Sequence, residues 1–71
     1  MKLLADMDAG KSLRIVMTEQ EISRDTLATD LGVSEATIST LRRNKLISGR
    51  NIALLARYFD MSASDFIRKG E

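Results

Sequence analysis

The sequence predicts an all-α fold in one small domain, and three observations support this prediction. Hydrophobic residues make up 44% of the 71 residues but aromatic residues only 4%, with no Trp, so the core has to be built from aliphatic side chains. The chain has no Pro and only four Gly, which is too few turn-forming residues for an all-β fold. Apolar residues also recur three and four positions apart, which is the spacing of amphipathic helices.

The first helix is predicted from the apolar spacing within AGKSLRIVMTEQ. The apolar residues at helical spacing are Leu13, Val16 and Met17. A backward extension of the same helix would take in Leu3, Leu4 and Met7. We therefore expect an amphipathic helix that buries one face.

The second helix has clear boundary signals and is predicted over Arg24–Leu31. Ser23 is suited to accept a hydrogen bond from the first turn as N-cap, and Asp25 suits the positive end of the helix dipole. The inner face is formed by Leu27, Ala28 and Leu31. Gly32 can take the left-handed conformation that ends a helix.

The third helix is predicted from about Glu35 to Arg43, with Ser34 as its N-cap. Only three residues separate it from the second helix, and a connection this short that contains Gly is characteristic of a helix-turn-helix unit. Within this connection we expect Val33 to fill the corner between the two helices. The residues expected to anchor the third helix on the core are Ile38 and Leu41.

Two further helices complete the predicted bundle of five. The fourth lies within SGRNIALLARYF and has the most regular apolar stripe of the chain, formed by Ile52, Leu55, Ala56 and Phe59. A short fifth helix lies in ASDFIRK, capped by Ser62 and carrying Phe66 and Ile67. Because an exposed aromatic and aliphatic pair is a natural two-fold contact, Phe66 and Ile67 are candidate dimer contacts, with core packing as the alternative.

The outward face of the third helix is small and polar. It is formed by Glu35, Ala36, Ser39, Thr40 and Arg43, which are spaced three and four residues apart. Short side chains allow a helix to enter a DNA major groove, about 12 Å wide, and to present hydrogen-bonding groups to base edges. A helix face that is only solvated usually carries longer Glu and Lys side chains, so we favour groove reading. Two roles are open for Glu35. It could read a base, or its negative charge could stabilise the helix by interacting with the helix dipole.

Positive charge is concentrated beside this face, although the net charge of the whole chain is only +1. The run RRNKLISGR, from Arg42 to Arg50, holds four basic residues and no acidic one. Taken alone, such a run is more often a solvated loop. Next to a groove-reading helix it forms a patch suited to a polyanion.

The composition argues against an enzyme. The chain has no Cys and no His, so disulfides, thiolate metal sites and histidine general bases are excluded. We therefore expect no cofactor, no metal and no small-molecule ligand. No segment has the pattern of a signal peptide or a membrane span, which predicts a cytoplasmic protein without a membrane partner.

The stretch SRDTLATDLGVSEATISTLRRNK resembles the helix-turn-helix of the lambdoid phage Cro proteins and repressors and their bacterial relatives. Its most specific elements are LA, GVS and IS at positions 27–28, 32–34 and 38–39, and the likeness extends from about Ser12 to Gly70. The family fold is a compact bundle of five helices. The resemblance implies a homodimer that binds a two-fold symmetric operator in double-stranded DNA and controls transcription in a bacterial host cell.

The resemblance also implies roles for individual residues. Base contacts fall on Glu35, Ala36 and Thr40, with Ser39 beside them. Phosphate contacts fall on Ser34, Arg43 and Lys45, and Arg50 matches a loop position where a basic residue lies near the minor groove.

Three positions depart from the family pattern. Arg24 stands where a Gln usually contacts a phosphate and braces the recognition helix; an Arg still reaches a phosphate but would brace differently. Asn44 replaces the usual Gly after the third helix, and Asn tolerates the left-handed conformation. Glu35 stands where Gln is frequent. These departures leave the operator sequence undetermined.

Two functional hypotheses follow from the sequence. The first is a sequence-specific DNA-binding regulator, with the short chain favouring a phage or prophage Cro-like repressor over the DNA-binding domain of a longer repressor. The second is a protein-binding helical module, such as an antitoxin-like or adaptor fragment, that keeps the fold but binds mainly another protein.

Overall fold

The computed structural model describes residues 8–71, and its regular structure over that range is entirely helical. The helices are α1 (Ala9–Glu19), α2 (Arg24–Leu31), α3 (Glu35–Arg43), α4 (Gly49–Tyr58) and α5 (Ala63–Arg68). The predicted all-α bundle of five helices is confirmed. The backward extension of the first helix through Leu3, Leu4 and Met7 lies outside the described residues. Within residues 8–71, none of the helices combines the length and the hydropathy that a membrane-spanning helix needs.

A polar side chain caps the start of each of these helices. The caps are Asp8, Ser23, Ser34, Ser48 and Ser62, and each side-chain oxygen accepts a hydrogen bond from the backbone N–H three residues further on. Each bond satisfies an amide that has no partner inside its helix and stabilises the helix by about 1 kcal/mol. The three caps predicted from sequence, Ser23, Ser34 and Ser62, are confirmed.

The core lies where α1 packs against α3 and α5, while α2 packs against α3 and α4 against α5. The predicted apolar residues that are buried in it are Leu13, Val16, Met17, Leu27, Ala28, Ile38, Ile52, Leu55, Ala56 and Phe59. Leu31 and Leu41 are half-buried and pack against the same core. Ala9 and Ile47 are also buried, although the sequence patterns did not single them out.

The turn between α2 and α3 is closed by backbone hydrogen bonds. Gly32 has a φ of 71°, which confirms the predicted left-handed stop. The N–H of Val33 donates to the carbonyl of Ala28, and the N–H of Gly32 donates to that of Thr29, as in a Schellman-type helix end. The prediction that the Val33 side chain fills the corner is wrong. That side chain is 40% exposed, because the backbone itself closes the turn.

The chain after α3 runs extended across the N-terminus of α1. Asn44 has φ −92° and ψ 132°, so its predicted left-handed conformation is wrong. The reason is tertiary: the carbonyls of Asn44 and Lys45 accept hydrogen bonds of 2.9 and 2.8 Å from the N–H groups of Gly10 and Ala9. The first amides of a helix have no internal partners, so this segment of the chain satisfies two of them. The C-terminal end of α3 is thereby fixed to α1.

The last helix, α5, docks on α1. The buried Ser12 hydroxyl donates to the carbonyl of Ile67 over 3.2 Å. Phe66 is completely buried and is part of the core, so the expectation that it is exposed for a dimer contact is wrong. An aromatic ring that α1 and α4 already enclose has no surface left for a partner. Ile67 is half-buried, and its role as a dimer contact stays a prediction.

Candidate nucleic-acid interface

The outward face of α3 is accessible along its length. Glu35, Ala36, Thr40 and Arg43 are exposed and Ser39 is half-buried, while Ile38 on the opposite side is completely buried. The structure therefore brings together the five residues that sequence spacing placed on one face. The core holds this helix from one side only, which leaves the other free to approach a ligand.

Arg24 of α2 braces the first half of this face. Its Nε lies 3.4 Å from Oε1 of Glu35, and its Nη1 donates a hydrogen bond of 2.9 Å to the hydroxyl of Ser39. Both members of the ion pair are about half exposed, at 49% and 55%, so the pair contributes at most about 1 kcal/mol to stability. Its main effect is positional, because one planar guanidinium fixes two side chains of α3 at once.

The start of α2 carries a stabilised carboxylate next to this brace. The hydroxyl of Ser23 donates to Oδ1 of Asp25, and the N–H of Thr26 adds a second contact, so the pKa of Asp25 lies below its usual value. A carboxylate at this end also interacts favourably with the helix dipole. These contacts keep the Asp25 carboxylate ionised and bound to the start of α2. The Arg24 guanidinium instead contacts Glu35 and Ser39.

The hydroxyl of Thr40 is already engaged within α3. It donates a hydrogen bond of 3.0 Å to the carbonyl of Ala36, one turn earlier. The oxygen retains its lone pairs, and the methyl group is not used by this bond. The Thr40 side chain can therefore accept a hydrogen bond from a base amino group or contact the methyl group of thymine.

The start of α3 is equally ordered. The hydroxyl of Ser34 accepts the N–H of Thr37 at 3.1 Å and shares a hydrogen bond of 3.0 Å with the Thr37 hydroxyl. Ser34 is exposed at a helix N-terminus, where the dipole favours an anion. This position suits the predicted phosphate contact.

Three of the predicted phosphate-contacting cations lie in the last turn of α3 or follow it along the chain. Arg43 is in its last turn, Lys45 follows in the extended segment, and Arg50 is in the first turn of α4. All three side chains are exposed, and within residues 8–71 none of them forms an ion pair. The two ends of α3 are therefore flanked by cations, with Arg24 at one end and Arg43 and Lys45 at the other.

Two arginines near this face were not among the predicted site residues. Arg14 of α1 and Arg42 of α3 line one cleft together with Ser39 and Arg43. Arg42 belongs to the basic run beside the outward face of α3, and no spacing rule connects Arg14 with a helix that follows two elements later. Only the packing of α1 on α3 brings them together.

Comparison with known protein families gives a match over most of the chain. The model of the family described as Cro/C1-type HTH DNA-binding domain matches residues 12–68. The match spans most of α1 and the whole of the other helices, and it includes every predicted contact residue. No curated protein and no solved structure matches the chain.

Proposed function

Because this chain belongs to the Cro/C1-type helix-turn-helix DNA-binding domain family and is a DNA-binding transcriptional regulator, we propose that it acts as a Cro-like repressor that binds a palindromic operator as a homodimer. The observation that carries the proposal is the exposed, polar face of α3. Arg24 braces it at one end, and at the other end lie Arg43 and Lys45, which form no ion pair among residues 8–71. We further propose that it acts on DNA in the cytoplasm of a bacterial host.

In this proposal α3 reads the major groove. Glu35, Ala36, Ser39 and Thr40 face base edges, while Ser34, Arg43, Lys45 and Arg50 contact phosphates around them. Arg24 combines the brace with a phosphate contact, since a guanidinium has five N–H donors and the observed contacts use only part of that fork. Phosphate contacts set affinity and register, and the base-facing side chains set the preferred sequence.

Homodimer formation follows from the symmetry of such operators. One α3 helix covers only a few base pairs, so a single copy has little sequence information to use. Two copies related by a two-fold axis place their recognition helices about 34 Å apart, one turn of DNA, in successive major grooves. The selected DNA should therefore contain an inverted repeat.

The direct test is selection of bound DNA from a random library. We expect enrichment of an inverted repeat with half-sites about one helical turn apart. Enrichment of a single unrepeated half-site would contradict the dimeric mode. If binding were equally strong on every sequence, the chain would not be a sequence-specific regulator.

A pair of matched variants tests whether α3 is the reading helix. Ala36 and Ala63 are both exposed alanines in the first turn of a helix with a Ser N-cap. Ala36→Asp should abolish binding to the selected site, because it adds a charge where the helix must approach the bases. Ala63→Asp should bind like the unmodified chain. Equal binding by both variants would show that another surface contacts DNA.

A further inference from the structure

Four arginines from three helices lie close to Ser39, one through a hydrogen bond and three through a shared cleft. Arg24 of α2 donates to the Ser39 hydroxyl at 2.9 Å. Ser39 also lines a cleft of about 200 Å³ together with Arg14 of α1 and with Arg42 and Arg43 of α3. Among the residues that the structure describes, no acidic one lines this cleft.

The positive charge in this cluster is only partly compensated. Glu35 pairs with Arg24, and Glu21 lies in the neighbouring cleft that Arg24 and Arg42 also line. Within the described part of the chain, Arg14, Arg42 and Arg43 form no ion pair. Like charges that converge on one cleft repel each other in the empty protein, and they raise the local affinity for an anion.

Arg42 gives independent support for a missing anionic partner. Its side chain is half-buried and its Nε is buried, and this nitrogen has no hydrogen-bond partner among residues 8–71. A buried donor without an acceptor is unfavourable and is rare in folded proteins. An anion in the cleft would also offset the charge of the Arg42 guanidinium, which forms no ion pair among residues 8–71.

We propose that the cleft of Arg14, Arg42, Arg43 and Ser39 binds a phosphate group, and that in the DNA complex this is a phosphate of the DNA backbone. Guanidinium groups bind phosphate oxygens through paired hydrogen bonds, and the Ser39 hydroxyl supplies a further polar contact. The assignment to DNA rests on the proposed function. Ser39 and Arg43 belong both to the cleft and to the outward face of α3, so the two surfaces are continuous.

This assignment gives α1 a role in binding. Arg14 lies outside the helix-turn-helix unit and is an exposed residue of the first helix. In the complex it would hold the same phosphate as the end of α3, which would fix the recognition helix relative to the backbone of one strand. The cleft thus sets register and affinity rather than sequence preference.

The first experiment measures DNA affinity against salt concentration for the whole chain and its Arg14→Gln variant, on both the selected operator and random DNA. Loss of one phosphate contact should lower the slope of log K against log salt by about 0.9 on both DNAs. Arg14→Lys keeps the charge and should keep most of the slope. Arg57→Gln is the matched control, because Arg57 is also an exposed helical arginine but lies on α4 away from the cleft.

The second experiment uses inorganic phosphate without DNA. Thermal unfolding is followed in phosphate and in chloride at equal ionic strength, for the unmodified chain, Arg14→Gln and Arg57→Gln. Phosphate stabilises proteins in general, so the informative quantity is the difference between variants. The unmodified chain and Arg57→Gln should gain more from phosphate than Arg14→Gln does. Arg42→Met, if it folds, should resemble Arg14→Gln.

The outcomes separate the sources of the phosphate. A reduced salt slope in Arg14→Gln supports the DNA backbone. An unchanged slope together with a lost phosphate effect overturns the DNA assignment and leaves a site for free phosphate. If Arg14→Gln equals the unmodified chain in both experiments, the proposal is wrong. Absence of DNA binding by the unmodified chain would instead contradict the proposed function. The second experiment would still show whether the cleft binds phosphate.

Discussion

The Nε of Arg24 lies 3.4 Å from Oε1 of Glu35, so a cation from α2 accompanies the acidic residue on the outward face of α3. The same guanidinium donates to Ser39 one turn later. An acidic side chain facing DNA is repelled by phosphates, and the neighbouring Arg24 reduces this repulsion. Glu35 is thereby held in one place as a hydrogen-bond acceptor, which suits it to discriminate between bases rather than to add affinity.

Replacement of Glu35 tests this role. A carboxylate accepts hydrogen bonds from the amino groups of cytosine or adenine, whereas the oxygens of guanine and thymine repel it. Glu35→Gln should tighten binding to random DNA and change the preference at one base pair in each half-site, by about 1–3 kcal/mol. Binding profiles of both proteins on a library of single-base operator variants give the measurement.

The alternative role of Glu35 predicts a different result. If this residue only stabilises the N-terminus of α3, Glu35→Gln should leave the preference profile unchanged and lower the melting temperature slightly. Arg24→Gln is the companion variant, because it removes the cation and keeps Glu35. It should weaken binding on all sequences, since Glu35 then faces the phosphates without a counter-charge.

The cations after α3 should act on all sequences alike. Lys45→Ala or Arg50→Ala should each weaken binding to operator and random DNA by the same factor and reduce the salt slope by about one unit. Arg68→Ala provides the control, since Arg68 lies on α5 and pairs with Asp65. A loss confined to the operator, at constant slope, would assign the residue to base reading instead.

Two glycines near helix starts should respond in opposite directions to the same substitution. A Cβ on Gly10 would overlap the carbonyl oxygen of Asn44 and lie 2.7 Å from that of Arg42, both backbone atoms. Gly10→Ala should therefore lower the free energy of unfolding by about 1–3 kcal/mol despite the better helix propensity of Ala. A Cβ on Gly49 meets nothing within 4 Å. Gly49→Ala should therefore raise the free energy of unfolding by about 0.4–1 kcal/mol.

Chemical denaturation of both glycine variants provides the comparison. Equal stability of Gly10→Ala and the unmodified chain would mean that the segment after α3 moves away from α1 at little cost in free energy. Gly10→Ala should also weaken DNA binding if the contact between α1 and this segment positions the end of α3.

Tyr58 reports the contact between α4 and α2. Its hydroxyl donates to Oδ2 of Asp30 over 2.5 Å; this hydrogen bond, with partial burial and the negative charge of Asp30, raises the pKa of Tyr58. The folded pKa exceeds the unfolded value of about 10, so the stabilising contribution is present below that pH and is lost as the pH rises through the folded pKa.

Tyr58 is the only tyrosine, and the chain has no Trp, so absorbance titration observes this group alone. The midpoint pH of the absorbance change should lie above that of a model tyrosine. Asp30→Asn removes the charge and should bring the transition back toward the ordinary value. A transition that is the same in both proteins would show that the bond does not form in solution.

Dimerisation is tested on Ile67 alone. Phe66→Ala would remove a fully buried ring, which costs about 3–5 kcal/mol and would unfold much of the protein rather than probe an interface. Ile67→Ala should shift sedimentation toward monomer while the helical content stays constant. Leu54→Ala is the comparison, because Leu54 is a large apolar side chain on α4 that is 46% exposed. If only Leu54→Ala dissociates the dimer, α4 carries the contact.

Local sequence determined the positions of the helices and several of their ends. Ser23, Ser34 and Ser62 cap helices because a short hydroxyl side chain satisfies nearby amides, and Gly32 ends α2 because it lacks a Cβ. Spacing of three and four also determined which side of α3 faces outward. These features depend on residues within one or two turns, so the sequence contains them directly.

Tertiary structure alone decided which distant groups meet. Asn44 is extended rather than left-handed because the first amides of α1 bind this segment, and Phe66 is buried because α5 folds back onto α1. Arg24 binds Glu35 and Ser39 because the turn sets α2 across α3, and Arg14 joins the cleft because α1 packs on α3. Such contacts depend on the relative placement of whole helices, which core packing determines and local residue spacing does not encode.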